Sequence, residues 1–230
     1  MIKNIIFDLC GPIITLDIEL MNRRFHDFGV KVDKPYQLLR EFGVTKKYEV
    51  GEISTFNFTQ QVRVVLGCPL YYSQIIEAWN TVIVDFPKKH IKLLKKLKGK
   101  YKTFILSNSD ETNAAYFREY MRRRARFDIL NDCFDEVFFS CDLHDRKPSP
   151  AVFQHIVDKH HLIPSETLVI DDCKAHCEAA ASIGLQTHWL QAGEDICDLT
   201  YWDFSNMRKP WKPDILEFLK NTRHNARRLL

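Results

Sequence analysis

The feature that most constrains this chain is a short run of apolar, largely β-branched residues that stops at a polar side chain, and it occurs three times. Ile2 to Phe7 stops at Asp8, Thr103 to Leu106 stops at Ser107, and Thr167 to Ile170 stops at Asp171. Runs of this length and composition predict buried parallel strands that open into functional loops. Glu136 to Ser140 and Gln186 to Leu190 predict two further strands. The periodicity predicts helices over Lys88 to Lys98, Pro150 to His160 and His176 to Ile183. Strands that alternate with helices in this way predict an α/β fold, built from βαβ units around a parallel sheet covered on both faces. Ligands of such sheets collect beyond the carboxyl ends of the strands. Asp8, Ser107 and Asp171 are therefore expected together at one sheet edge.

From about Thr15 to Asp85 the pattern changes to several short helices without strands, punctuated at Lys34-Pro35, Gly51 and Gly67-Cys68-Pro69. A length of 230 residues accommodates one core with an insertion of this size. Apolar residues at 45% and charged residues at 27% exclude a disordered or fibrous chain. The net charge of +3 comes from lysines and arginines spread along the sequence, which gives no support for nucleic acid binding. Arg122, Arg123 and Arg124 read as a solvated helix face, as do the lysines of 88–98. No stretch approaches the roughly 20 apolar residues that span a bilayer, and MIKNIIFDLCGP lacks the apolar region of a secretion signal, so no membrane partner is expected. Seven cysteines, an odd number with no CxxC pair, point to reduced thiols and a cytoplasmic location.

Six positions carry the candidate chemistry. Asp8 ends an apolar strand, where a carboxylate needs a cation or hydrogen-bond donors; the simpler reading is a carboxylate that caps a loop. Asp171 and Asp172 place adjacent like charges after another strand, which suits a hard divalent cation such as Mg²⁺, although Asp also caps helices. Ser107 and Asn108 offer a hydroxyl and backbone N–H groups to an anion, or form an empty turn. Lys147, in the segment Arg146-Lys147-Pro148-Ser149-Pro150, is either solvated or directed inward as a point charge on a carboxylate or phosphate. Taken together, a carboxylate nucleophile, a metal site, a hydroxyl and a lysine at one sheet edge make up the requirements of phosphoryl transfer.

These residues resemble, in order, the four motifs of the haloacid dehalogenase (HAD) superfamily. Ile5 to Gly11 resembles the first, Leu106-Ser107-Asn108 the second, Arg146-Lys147-Pro148 the third, and Val169 to Asp172 with Glu178-Ala179-Ala180 the fourth. The resemblance implies a Rossmann-like core from residues 1–14 and 86–230 and an inserted helical cap of the C1 type from residues 15–85. Gly51-Glu52-Ile53-Ser54 and Ala78-Trp79-Asn80 are similar to the branch that contains α-glucose-1-phosphate phosphatase. It implies a Mg²⁺-dependent phosphatase acting on a small phosphorylated metabolite through an aspartyl-phosphate. Asp8 would be nucleophile and metal ligand. Cys10, through its backbone carbonyl, and Asp171 and Asp172 would be further metal ligands. Ser107, Asn108 and Lys147 would bind the phosphate.

Cys10 stands where the superfamily usually has a second aspartate, the general acid and base, which opens an alternative: a weak or inactive HAD-fold binding or regulatory protein. Haloacid dehalogenases also lack that aspartate, but they generally do without the metal that Asp171-Asp172 suggests, and a mutase would need the missing group even more. Pro12, Cys173 and His176 depart from the usual residues as well. Cys173, His176 and Cys177 match no standard zinc spacing. His155, His160 and His161 read as surface residues. Trp202, Pro210, Trp211 and Pro213 precede an expected helix ending near Asn221, with Arg223, Arg227 and Arg228 at a solvated end.

Overall fold

The computed structural model describes residues 1–125 and 128–201. The segment that contains the expected C-terminal helix, and with it Trp202, Trp211, Arg223, Arg227 and Arg228, lies outside the described residues. Five parallel strands form the sheet: β1 (Asn4–Phe7), β4 (Lys102–Ser107), β5 (Glu136–Phe139), β6 (Thr167–Asp171) and β7 (Gln186–Trp189), in the order β5-β4-β1-β6-β7. The first strand is central. From it the chain builds β4 and β5 on one side and then crosses to β6 and β7 on the other, so the switch in strand order falls beside β1, where this class of sheet places its crevice.

The three central strands, β4, β1 and β6, are largely apolar on both faces because both faces are covered. Ile5, Phe7, Ile105, Leu168 and Ile170 enter one buried cluster. Their alternates Ile6, Phe104, Leu106 and Val169 enter a second, against Val152, Phe153, Ile156 and Val157 of α10 (Pro150–His160) and Ala180 of α11 (Lys174–Ser182). Each such side chain contributes about 1.5–3 kcal/mol by its removal from water, which fixes the register that aligns the strand ends. On the first face lie α6 (Lys88–Lys98), burying His90, Leu93, Leu94 and Leu97 while its lysines face outward, and α8 (Ile129–Cys133). The helix α7 (Glu111–Ala125) runs between β4 and β5, and Arg122 and Arg123 on it are exposed and pair with Glu119, as a solvated face predicts. The single turn α9 (Ser140–Leu143) follows β5.

Between β1 and α6 the chain forms α1 (Ile18–Asp27), α2 (Pro35–Glu41), α3 (Val44–Glu49), α4 (Thr55–Leu66) and α5 (Tyr72–Asn80). Local chemistry sets their ends. Asp17 Oδ1 accepts from Leu20 N at 2.8 Å, and Ser54 Oγ accepts from Asn57 N at 3.3 Å. One expectation for this region is corrected. It is not free of strands: β2 (Thr15–Leu16) and β3 (Ile83–Asp85) pair antiparallel, with Thr15 opposite Asp85, and close the two ends of the insertion. Strands of two and three residues are too short to leave a period-2 signal, and their pairing joins segments about 70 residues apart.

His160 also departs from its reading as a surface residue. It is half-buried, with Nε2 2.8 Å from Glu136 Oε2 and its ring 4.5 Å from that of Phe104, because the helix that carries it lies across the sheet edge. His155 and His161 are exposed as expected. Among the described residues no helix is long and apolar enough to cross a membrane.

Candidate active site

The parallel register brings the expected groups to one edge. Phe7 sits beside both Ile105 and Ile170, so the residues that follow, Asp8 and Asp171, become neighbours, and Asp8 N donates to the Ile170 carbonyl at 2.9 Å. Ser107 ends β4, fully buried, with its Oγ 4.0 Å from the Cys10 sulfur. Lys147 reaches in from the loop before α10. Its Nζ lies 3.0 Å from Asp8 Oδ1 and donates to Asp171 Oδ2 at 2.7 Å, and the side chain is 1% exposed.

Asn108 fixes this lysine in place. Its Nδ2 donates to the Lys147 carbonyl and its Oδ1 accepts from Lys147 N, each at 2.9 Å, so the side-chain amide is committed to the neighbouring loop. Asp171 is held on its other side by Cys173 N at 2.8 Å and by His176 Nδ1 at 2.9 Å. Asp172 is set by a close backbone approach: Gly11, at φ 98°, leaves so little room that a Cβ there would stand 2.2 Å from Asp172 Oδ2. Only glycine meets both the dihedral and the contact.

The electrostatics follow from gathering three carboxylates around one buried ammonium. Burial raises the Asp8 carboxyl to about 6; Lys147 opposes the shift, and the charges of Asp171 and Asp172 add to it. Burial acts to lower the Lys147 ammonium, but Asp8 and Asp171 outweigh it and the net direction is upward. His176 is raised to about 9, because its bonds to Asp171 and Cys173 together outweigh burial. Cys10 is driven far above the ordinary thiol range, first by burial and then by the Asp8 charge, so it is a neutral thiol at physiological pH. With its three carboxylates ionised, the site holds more negative charge than Lys147 and a protonated His176 balance. An all-oxygen carboxylate set with excess charge fits a hard divalent ion such as Mg²⁺.

Cys173, His176 and Cys177 are not gathered as a metal set. The Cys177 sulfur points to the backbone carbonyls of Asp171 and His188, at 3.7 and 3.8 Å, while His176 faces Asp171. Sequence reasoning gave His176 no role, although its five-residue spacing from Asp171, across the first turn of α11, is the signal that allows the contact.

Helices α2 to α5 pack over this edge. Trp79 Nε1 donates to Asp110 Oδ2 at 2.8 Å, Tyr48 Oη donates to Thr112 Oγ1 at 3.2 Å, and Ser140 Oγ donates to the Glu49 carbonyl at 2.6 Å. Glu49 and Arg146, the residue before Lys147, form an ion pair. Gly51, at φ 65°, brings the turn after α3 so close that a Cβ would stand 2.8 Å from the Cys141 carbonyl. A cavity of about 120 Å³ remains between the two layers, bordered by Cys10, Tyr36, Glu49, Trp79 and Asn113. Sequence reasoning did not find Tyr36, Glu49 or Asn113, because nothing in their spacing marks them.

A family model for haloacid dehalogenase-like hydrolases matches residues 2–184. The chain belongs to this family. Among characterised members, D-ribitol-5-phosphate phosphatase of Bacteroides thetaiotaomicron is 27% identical over 202 residues, spanning 85% of this HAD-like hydrolase and 95% of the relative. A crystal structure of a HAD family enzyme from the same organism superposes with a TM-score of 0.80 at 30% identity, covering 86% of this chain and 98% of that one. The same enzyme, solved in complex with magnesium and inorganic phosphate, superposes with a TM-score of 0.78 at 29% identity, covering 90% and 100%.

Proposed function

We propose that this HAD-like hydrolase is a Mg²⁺-dependent phosphatase that cleaves a small phosphorylated sugar or polyol through an aspartyl-phosphate on Asp8. The observation that carries the reading is the Asp8–Lys147–Asp171 arrangement: a buried carboxylate at the sheet edge with an ammonium 3.0 Å away, ready to receive an anion. Asp8, Asp171, Asp172 and the backbone carbonyl of Cys10 are the groups that would hold Mg²⁺. When bound, the ion would offset the repulsion between the carboxylate nucleophile and the phosphate dianion.

In this mechanism an Asp8 carboxylate oxygen attacks phosphorus and the bond to the leaving oxygen breaks. Lys147 and Ser107 hold the equatorial phosphoryl oxygens, with the backbone N–H of Asn108 beside them. Water then hydrolyses the acyl phosphate and regenerates Asp8. Residues 15–85 act as a cap over the core of 1–14 and 86–230, closing the cavity around the leaving group and excluding bulk water. Two features support a hydroxylated leaving group. Asn113 borders the cavity and its Oδ1 is buried without a hydrogen-bond partner, an acceptor that a substrate hydroxyl would satisfy. One relative that spans most of the chain is named for a polyol phosphate.

The half-buried Cys10, held as a neutral thiol, favours a second reading, a protein that binds a phosphorylated ligand with little turnover, since a positioned acid or base is worth about 10²–10⁴ in rate. Phosphate release from a panel of sugar, polyol and aryl phosphates, with Mg²⁺ or chelator and with Asp8→Asn as control, separates the two. Release that requires both Mg²⁺ and Asp8 supports the phosphatase. Binding without release above the control supports the second reading.

A further inference from the structure

On the first face of the sheet, His90 is buried near the start of α6 with its ring nitrogens facing groups from the loop after β1 and the segment after β7. Its Nδ1 lies 2.8 Å from the Ile13 carbonyl oxygen. A carbonyl only accepts, so Nδ1 carries a hydrogen and donates it. In the neutral ring Nε2 then presents a lone pair, and it points at the Asp195 carboxylate, with both oxygens 3.2 Å away. Lone pair against carboxylate is repulsive unless a positive charge lies between them. A proton on Nε2 is one solution and a metal ion is the other.

A third donor argues for the ion. One ligand atom from each of His90, Asp195 and Cys197 can be chosen so that all lie within 4.8 Å of one another. Asp195 and Cys197 are held together by a short turn in which Cys197 N donates to Asp195 Oδ1 at 2.8 Å. The 3.2 Å separation of nitrogen and carboxylate oxygen is close to the ~3.3 Å that two ligands subtend at a tetrahedral Zn²⁺ with bonds of about 2.0–2.1 Å. The hydrogen bond from Nδ1 to the Ile13 carbonyl is the outer contact that orients a ligating imidazole.

We propose that His90, Asp195 and Cys197 form a site for a thiophilic divalent cation of the Zn²⁺ type, distinct from the oxygen-lined site around Asp8. A nitrogen, oxygen and sulfur set selects such an ion over Mg²⁺. Ion uptake releases to solvent the thiol proton of Cys197 and the proton that holds the ion's place on His90 Nε2, forms sulfur–metal and nitrogen–metal bonds, and leaves the fourth position to water. Lys89 is the competing cation: its Nζ is 2.6 Å from Asp195 Oδ2, and at 60% exposure it can swing into solvent as the ion enters. The ion would fasten the loop after β1, through Ile13, to the segment after β7, and so would stabilise the fold rather than take part in turnover.

The test uses the full chain, stripped with chelator and titrated with Co²⁺ as a spectroscopic stand-in for Zn²⁺. The expected result is a thiolate-to-cobalt charge-transfer band that saturates at one equivalent, is displaced by Zn²⁺ but not by Mg²⁺, is lost in Cys197→Ser and His90→Gln, and persists in Asp171→Asn. Zn²⁺ is also expected to raise the Tm of the wild type and of Asp171→Asn but not of Cys197→Ser, with circular dichroism confirming that each variant is folded. Absence of the band in the wild type, or its survival in folded Cys197→Ser, overturns the proposal. Survival would place the thiolate ligand elsewhere, with Cys173 beside His176 the next candidate.

Discussion

Lys147 Nζ stands between two buried carboxylates, 3.0 Å from Asp8 and 2.7 Å from Asp171, although the three residues are separated by up to 163 positions in the chain. It is the ammonium that lets both acids be buried. Replacing it by methionine keeps the bulk of the side chain and leaves the two carboxylates facing each other. Lys147→Met is expected to lose about 3–5 kcal/mol of stability in chelator, the cost of breaking a buried pair. Urea unfolding with and without Mg²⁺ checks this, and Mg²⁺ should restore part of the loss by binding between the same carboxylates. Equal stability of variant and wild type would show that the lysine does not offset them.

The raised Asp8 carboxyl has a stability consequence with a definite sign. Its folded value of about 6 lies above the ordinary 3.8, so the folded state binds the extra proton, and ionising Asp8 destabilises the fold as pH rises from about 4 through 6. Without metal, Asp8→Asn removes that contribution. The variant is expected to exceed the wild type by on the order of 2 kcal/mol at pH 7, the advantage fading by pH 4. Denaturant midpoints across that range read it directly, and a variant less stable than wild type at pH 7 would contradict it.

Cys10 offers a gain-of-function test. It lies beside Ser107 at the cavity, where a carboxylic acid could protonate a departing alkoxide and later activate water. Cys10→Asp is expected to raise kcat for poor alkyl leaving groups by about 10²-fold or more, within the 10²–10⁴ span of general acid–base catalysis. Aryl phosphates, whose leaving groups need little protonation, should gain much less. Equal gains on both substrate classes, or none on the alkyl class, would show that the position lacks acid–base geometry.

Gly11 is predicted to govern metal affinity through Asp172. A methyl at this residue would stand 2.2 Å from Asp172 Oδ2 and would force an L residue into φ 98°. Gly11→Ala should therefore cost about 1–2 kcal/mol in backbone strain and displace the carboxylate. The Mg²⁺ concentration for half-maximal phosphate release is expected to rise about tenfold or more, equivalent to ~1.4 kcal/mol of lost affinity. An unchanged Mg²⁺ requirement would remove Asp172 from the metal site.

The sequence by itself determined the α/β class, all five strands of the sheet and the edge at which Asp8, Ser107 and Asp171 meet. The reason is that a strand buried on both faces must be apolar at every position, so Ile5-Ile6-Phe7 and Leu168-Val169-Ile170 announce themselves, and parallel order then puts their following residues side by side. The helices over 88–98 and 150–160 were legible for a similar reason, since one buried stripe in a polar surface has a period. Tertiary structure alone decided the rest. The pairing of Thr15 with Asp85, the commitment of the Asn108 side chain to the Lys147 backbone, the contact of His176 with Asp171 and the cavity shared by Tyr36, Glu49 and Asn113 each join groups whose relation has no local period. Their positions follow from how layers pack, and the upward shifts of the Asp8 carboxyl and the Cys10 thiol follow from the desolvation that packing imposes.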